Sequence, residues 1–312
     1  MAEVLVLGAT SMVGSHFVAH SAIPCTAAGR QDPRAVGIPV ERFARIDLTD
    51  LGEVASVVGA APEPVVINFA AATEVDAVEA ERPRATDPEP SGRAWTLNAR
   101  MPEVVATVAQ ESGRFFVQLS TDFVFDGHDG PYDETARRSP YSGAMSWYGW
   151  TKSEGERRAA LMAPSCAVVR IAYPYRASFP GKIDFARRIL ARYRDGTLPP
   201  LYVDQQISPT WVPDVTRALA EIVRRRAPGT LHVASPQLTT PFEFASELVS
   251  RSEGRAVPLR EGRIAGAPAD PRRAPRPVRG GLRSNRAADL GLEWTGWKRG
   301  IAELLAAEGT VA

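Results

Sequence analysis

The stretch "VLVLGATSMVG", residues 4–14, decides the fold. Four apolar residues run without a break into Gly8, and a helical pattern starts at Met12. An unbroken apolar strand is one buried on both faces. A glycine where strand turns into helix lets the backbone approach a pyrophosphate, whose charge the helix N-terminus then stabilises. Six positions separate Gly8 from Gly14, more than in G-x-G-x-x-G, and the spacing suits G-x-x-G-x-x-G with Ser11 at the middle glycine. Gly8, Thr10, Ser11, Met12, Val13 and Gly14 are therefore the first candidates for holding a dinucleotide, although a glycine needed only for the turn fits the same pattern.

Working outward, apolar runs alternate with helical patterns through the first half. The runs are "EVLVLGA", "PCTAAG", "PVERFARID", "PVVINFAAA", "RFFVQLST" and "CAVVRIAY". Helices are predicted over 12–20, 50–59, 98–111 and 147–162. This alternation predicts a doubly wound α/β fold, a parallel sheet covered by helices on both faces, of the Rossmann type. After residue 174 the rhythm loosens. Helical patterns at 182–194, 212–225 and 241–252, the strand-like "GTLHVAS" and an amphipathic tail at "GWKRGIAELLAAEG" remain. A dinucleotide-binding domain is expected over 1–174, receiving parts of 205–234. A smaller, mostly C-terminal α/β substrate domain is expected over 175–204 and 235–312. The Pro- and charge-rich stretch "ERPRATDPEPSGRA", 81–94, reads as a surface loop.

Bulk properties exclude several classes. The 312 residues are 44% hydrophobic and 23% charged, as in ordinary globular proteins. A net charge of +1 gives no global attraction to nucleic acid or to an anionic membrane. No apolar run approaches the roughly 20 residues that span a bilayer. The N-terminus reads as a core strand rather than a signal peptide, so a cytoplasmic protein is expected. Cys25 and Cys166 fall in strand patterns and read as small buried hydrophobes. Their number and placement give no metal-ligand spacing, so no metal is expected.

Other candidates cluster at strand C-termini, where open α/β sheets bind ligands. Arg30 ends the second strand, where an acidic residue would bind a ribose 2′-hydroxyl and an arginine can pair with a 2′-phosphate. NADP(H) is thus favoured, with NAD(H) open. Asp47 and Leu48 fall beside the adenine position, and Ala70, Ala71 and Ala72 form a small-residue strand end along which a cofactor could pass. Thr121 ends the fifth strand, and Tyr148 and Lys152 follow 27 and 31 residues later. Positions i and i+4 share a helix face, so a phenol and an ammonium can meet in one pocket. The cation is expected to lower the phenol's pKa, suiting it to exchange a proton with a carbonyl oxygen held by Thr121.

At this point the chain resembles the extended short-chain dehydrogenase/reductases, and within them the dTDP-4-dehydrorhamnose reductase family. The matching pieces are "VINFAAATEVDAVE", "LNARMPEVVATVAQESG", "STDFVFDG", "YGWTKSEGE", "RIAYPY" and "GTLHVASP", in the family's order. The resemblance implies nicotinamide-dependent reduction of a nucleotide-linked 4-keto-6-deoxysugar. It assigns Thr121, Tyr148 and Lys152 to catalysis, and has Tyr148 and Lys152 also touch the cofactor. Asp122 and Tyr173 are assigned to the substrate side, where Tyr173 stands in a place often held by Trp. Arg276 and Arg283, in the basic run 272–286, are candidates for the substrate phosphates, although that run could equally be a solvated loop. Two segments look longer than in the family, 81–94 and "RRSPYSGAMSW". A homodimer is left open, as are two other functions. One is a cofactor-binding regulatory subunit without catalysis, and the other an epimerase or dehydratase of the same superfamily.

Overall fold

The computed structural model describes residues 3–83, 90–177, 179, 181, 183–265 and 273–309. The strands of the main sheet are β1 (Val4–Leu7), β2 (Cys25–Gly29), β3 (Arg42–Arg45), β4 (Val65–Asn68), β5 (Phe115–Thr121), β6 (Ala167–Ile171) and, after the two-residue β7 (Leu201–Tyr202), β8 (Gly229–Val233). They run parallel in the order β3-β2-β1-β4-β5-β6-β8. This is the doubly wound sheet expected from the alternation. A short β9 (Glu261–Gly262) pairs with β7 in a separate two-stranded sheet.

The helices are α1 (Met12–His20), α2 (Leu51–Ala60), α3 (Val75–Glu79), α4 (Arg93–Trp95), α5 (Met101–Glu111), α6 (Trp147–Met162), α7 (Phe185–Arg194), α8 (Val212–Arg225), α9 (Pro241–Glu253) and α10 (Trp297–Ala307). Side-chain caps fix where several begin. Ser11 accepts from the Gly14 N–H, Ser146 from Gly149, and Asp50 from Gly52 and Glu53. At α9, Thr240 and Glu243 form a reciprocal capping box, and Gly254 ends the helix in the left-handed region. The helix expected at 98–111 starts earlier, at Arg93, and passes through a π turn at Thr96–Arg100. Of the predicted loop 81–94, residues 84–89 lie outside the described residues, as does residue 182 at the predicted start of α7. Arg272, at the start of the basic run, also lies outside them.

Two cores flank the sheet, one on each face. On one face Val13, Phe17 and Val18 of α1 pack with Val215, Leu219 and Ile222 of α8. On the other, Val54 and Val58 of α2, Val105 and Ala109 of α5 and Ala159 of α6 pack together. A third core joins α7, α9 and α10 around Phe244, Leu248, Trp297 and Ile301. Cys25 and Cys166 are free and buried, as their strand patterns predict. Among the described residues no helix is long and apolar enough to cross a membrane.

The chain builds outward from β1 to β3 and then returns to lay β4 on the other side of β1. The reversal between β1 and β4 opens a crevice at their carboxyl ends.

Candidate active site

A cleft of about 650 Å³ occupies that crevice. Its floor is almost bare backbone. Gly8 has φ of 81°, and a Cβ there would stand 2.8 Å from the Ala70 nitrogen, so only glycine lets the loop lie against the end of β4. Met12 and Val13 line the cleft in the first turn of α1. Their N–H groups come too early to have an acceptor within the helix, and no other described residue supplies one. Donors of this kind fit a diphosphate. Ser11, standing where a middle glycine was expected, lines the same loop while its hydroxyl caps Gly14.

At the end of the cleft beside β2 and β3, Gly29, Arg30, Asp47 and Leu48 all line the wall. Arg30 is exposed, and the Arg45 guanidinium donates to its carbonyl at 2.8 Å, bringing a second cation beside it. Asp47 accepts from both the backbone and the hydroxyl of Thr49, which hold its carboxyl below the usual range.

The opposite end of the cleft gathers Thr121, Asp122, Tyr148, Lys152, Tyr173 and Arg276. Thr121 closes β5, and its hydroxyl donates to Asp122 at 3.1 Å. Tyr148 and Lys152 lie one turn apart on α6, both buried. Lys152 Nζ donates to the Leu119 carbonyl at 2.8 Å. Burial pushes the Lys152 ammonium down to about 8, partly offset by the Glu156 charge. Burial likewise pushes the Asp122 carboxyl up to about 7, against the hydrogen bond from Thr121.

Tyr148 corrects an expectation. Its pKa is raised, not lowered: burial penalises the phenolate, the Thr121 hydroxyl offsets only part of this, and the Asp122 charge adds to it. The ammonium bonds a backbone carbonyl rather than the phenol. A phenol held protonated suits the donor role and not the basic one.

Phe123 stands edge-to-face with Tyr148 at 5.5 Å, and the Arg276 guanidinium lies over the Phe123 ring at 6.0 Å. Arg276 also pairs with Asp76 at 2.8 Å. Tyr173, at φ of 44°, accepts from Gln205 Nε2 at 2.9 Å. The two long segments meet near this end, where Arg82 donates to the Tyr141 hydroxyl at 2.6 Å and to the Met145 carbonyl at 2.7 Å.

Three expected residues stand elsewhere. Arg283 is exposed and outside the cleft wall, and its carbonyl pairs with the His232 ring. Gly14 lies behind the wall, where a Cβ would come within 2.6 Å of the Gly8 oxygen; it serves helix-to-turn packing. Ala70 and Ala71 line the cleft, whereas Ala72 is buried behind it. Its N–H donates to Asn98 Oδ1 at 2.9 Å, and its carbonyl accepts from Asn98 Nδ2 at 3.0 Å. Asn98 also donates to Thr151 at 3.0 Å, joining the end of β4 to α6. Sequence reasoning missed Asn98, and its only signal was an amide inside an apolar helical run.

Known proteins share this chain's fold and much of its sequence. The RmlD substrate binding domain family matches residues 1–309. A dTDP-4-dehydrorhamnose reductase of Mycolicibacterium smegmatis is 34% identical over 250 residues, covering 78% of this chain and 70% of that one. One from Mycobacterium tuberculosis is 30% identical, covering 98% and 93%. The crystal structure of a dTDP-4-dehydrorhamnose reductase from Clostridium acetobutylicum matches with a TM-score of 0.77 at 26% identity, covering 98% of this chain and 99% of that one.

Proposed function

Since this chain belongs to the RmlD substrate binding domain family, we propose that it reduces the keto group of a nucleotide-linked 4-keto-6-deoxysugar, with NADP(H) favoured over NAD(H). It is an NAD(P)-dependent oxidoreductase, and the relatives named dTDP-4-dehydrorhamnose reductase support that substrate class. One observation carries the site assignment: Thr121, Tyr148 and Lys152 share a cleft with a bare glycine floor and the free N–H groups of α1. We place the protein in the cytoplasm, a setting that its buried free thiols fit.

The bound nicotinamide would supply a hydride to the carbonyl carbon. Thr121 orients the keto oxygen with its hydroxyl, and Tyr148 gives that oxygen its proton. Burial keeps the phenol protonated until it is needed. Lys152, held by the Leu119 carbonyl, lies one helical turn away, where its charge favours the phenolate left behind. Arg30 would hold the 2′-phosphate, and Arg276 remains the cleft's candidate for the sugar nucleotide's phosphates.

Dehydration of a hexose needs a second acid–base group beside the tyrosine. Phe123 fills that place, and a phenyl ring neither takes nor gives a proton. Asp126, the nearest later carboxylate, is turned to the His128 N–H and the Tyr132 hydroxyl. A dTDP-linked 4-keto-6-deoxysugar is therefore expected to consume one NADPH per sugar reduced, followed by absorbance, whereas dTDP-glucose with NAD or NADP yields no 4-keto product. Tyr148→Phe should lower turnover by roughly 10²–10⁴-fold. Conversion of dTDP-glucose would overturn the reading.

A further inference from the structure

Behind the cleft, a carboxylate joins the two elements that carry the reacting groups, β5 and α6, to the neighbouring strand β6. Glu156 stands one turn after Lys152 and two turns after Tyr148 on α6, so the three share a face. It is buried, and both of its oxygens are engaged. Oε1 accepts from Ser120 Oγ at 2.5 Å and from Arg170 Nε at 3.0 Å, and Oε2 accepts from Arg170 Nη2 at 2.7 Å. Ser120 and Arg170 are register partners on β5 and β6. One side chain of α6 therefore grips two adjacent strands, at the residue next to Thr121. Arg138 adds a cation at 3.8 Å, and Arg170 reaches the His232 ring at 3.3 Å.

We propose that Glu156 is a positioning residue for the reduction, tying the Thr121 strand end to the Tyr148 helix and supporting the Lys152 ammonium. The proposal rests on the reductase reading above. Its physical basis is simple. Lys152 is buried with a neutral carbonyl as its hydrogen-bond partner. Tyr148, Thr121 and Asp122 line the same cleft as Lys152, and Glu156 follows it by one turn of α6. Among these Glu156 is the carboxylate that favours the charged amine, against burial. Arg170 and Arg138 in turn keep Glu156 ionised, and its carboxyl lies below the usual range despite full burial.

The sequence makes a direct test practical, because it contains only three lysines, Lys152, Lys182 and Lys298. In ¹⁵N-lysine-labelled protein the Lys152 amine can be titrated by NMR, with Lys152→Arg identifying its resonance. Glu156→Gln is expected to move the midpoint down by about half a pH unit or more, as for loss of an opposite charge within a few ångströms. The basic limb of the kcat profile should move with it. Ser120→Ala, which keeps the charge but cuts the tie to β5, should lower kcat and leave the midpoint in place. If Glu156→Gln does not fold because Arg170 is left alone, the double variant Glu156→Gln/Arg170→Met removes both charges, and the same downward shift is expected. An unmoved midpoint overturns the support of Lys152 even where activity falls. Wild-type kcat in Ser120→Ala overturns the tie. Absence of turnover in the parent protein would instead strike the reductase reading, which the NMR titration does not use.

Discussion

At the scale of single residues, the cleft holds groups whose ordinary charge states burial has moved. Asp122 is the plainest case, lifted to about 7. The folded protein holds this proton more tightly than the unfolded chain, where an aspartic acid releases it near ~3.9. The stability Asp122 contributes is thus fully present below pH ~4 and is lost as pH rises through about 7. Asp122→Asn resembles the protonated acid in shape and never ionises. It should match the parent in stability near pH 4 and exceed it at pH 8 by on the order of 1–3 kcal/mol, since each tenfold change in proton affinity corresponds to about 1.36 kcal/mol. Urea unfolding at the two pH values measures this, and parallel profiles would refute it. Lys152 is depressed instead, so its contribution is present above the unfolded value of ~10.4 and is lost as pH falls through about 8. Because parent and variant share Lys152, the difference between them isolates the carboxyl.

At the scale of elements, the site depends on how closely α6 approaches the start of α5. Gly155 makes that approach possible: a Cβ there would overlap the Asn98 carbonyl and stand 3.3 Å from Pro102 Cγ. The π turn at Thr96–Arg100 puts Asn98 in this position, where it binds both backbone groups of Ala72 and the Thr151 hydroxyl. Gly155→Ala should push α6 away and carry Lys152 and Tyr148 with it. The expected cost is about 1–3 kcal/mol of overpacking, seen as a lower Tm, together with weaker NADPH binding by fluorescence titration. A variant with parental Tm and affinity would show that the helix yields freely. The main strands and helices were legible because residues such as Val4–Leu7 and Val65–Asn68 are apolar without a break, as burial on both faces requires. The π turn was not, since 93–111 reads as one helical run and the slipped hydrogen bonds answer to a tertiary partner. Nor were β7 and β9, whose two residues each carry no period. In the site, the Gly8 turn was visible as a pattern, whereas the four-residue spacing of Tyr148 and Lys152 pointed to the cleft they line only in company with the parallel fold and the Thr121 strand end. The position of Arg283 could not, because a run of arginines does not say which of them points inward. The direction of the Tyr148 shift was equally hidden, because burial is a property of the assembled cleft.

At the scale of the whole molecule, the cleft is lined by segments far apart in the chain, from the Gly8 loop to Arg188 and Arg276. A cofactor lying along it would bind the folded protein and not the unfolded chain, so it should stabilise the entire fold. The gain is RT ln(1 + [L]/Kd), about 2.7 kcal/mol at a hundredfold excess over Kd. The two nicotinamide cofactors differ only by the 2′-phosphate, which makes Arg30, proposed to meet that phosphate, the residue to test. A charge-assisted hydrogen bond to a phosphate contributes about 1.5–3 kcal/mol when partly buried. Arg30 is exposed, so the lower end of that range applies and salt should weaken it further. NADPH is accordingly expected to bind around tenfold more tightly than NADH in low salt, where about 1.4 kcal/mol is a factor of ten. At equal concentrations it should also raise Tm further. Arg30→Ala should shrink the ratio without abolishing it, since Arg45 donates to the Arg30 carbonyl and remains as a second cation. Arg30→Ala/Arg45→Ala should bring the two affinities together while leaving the NADH affinity near its parental value. Equal affinities for NADPH and NADH in the parent protein, measured by calorimetry at low ionic strength, would remove both arginines from cofactor choice.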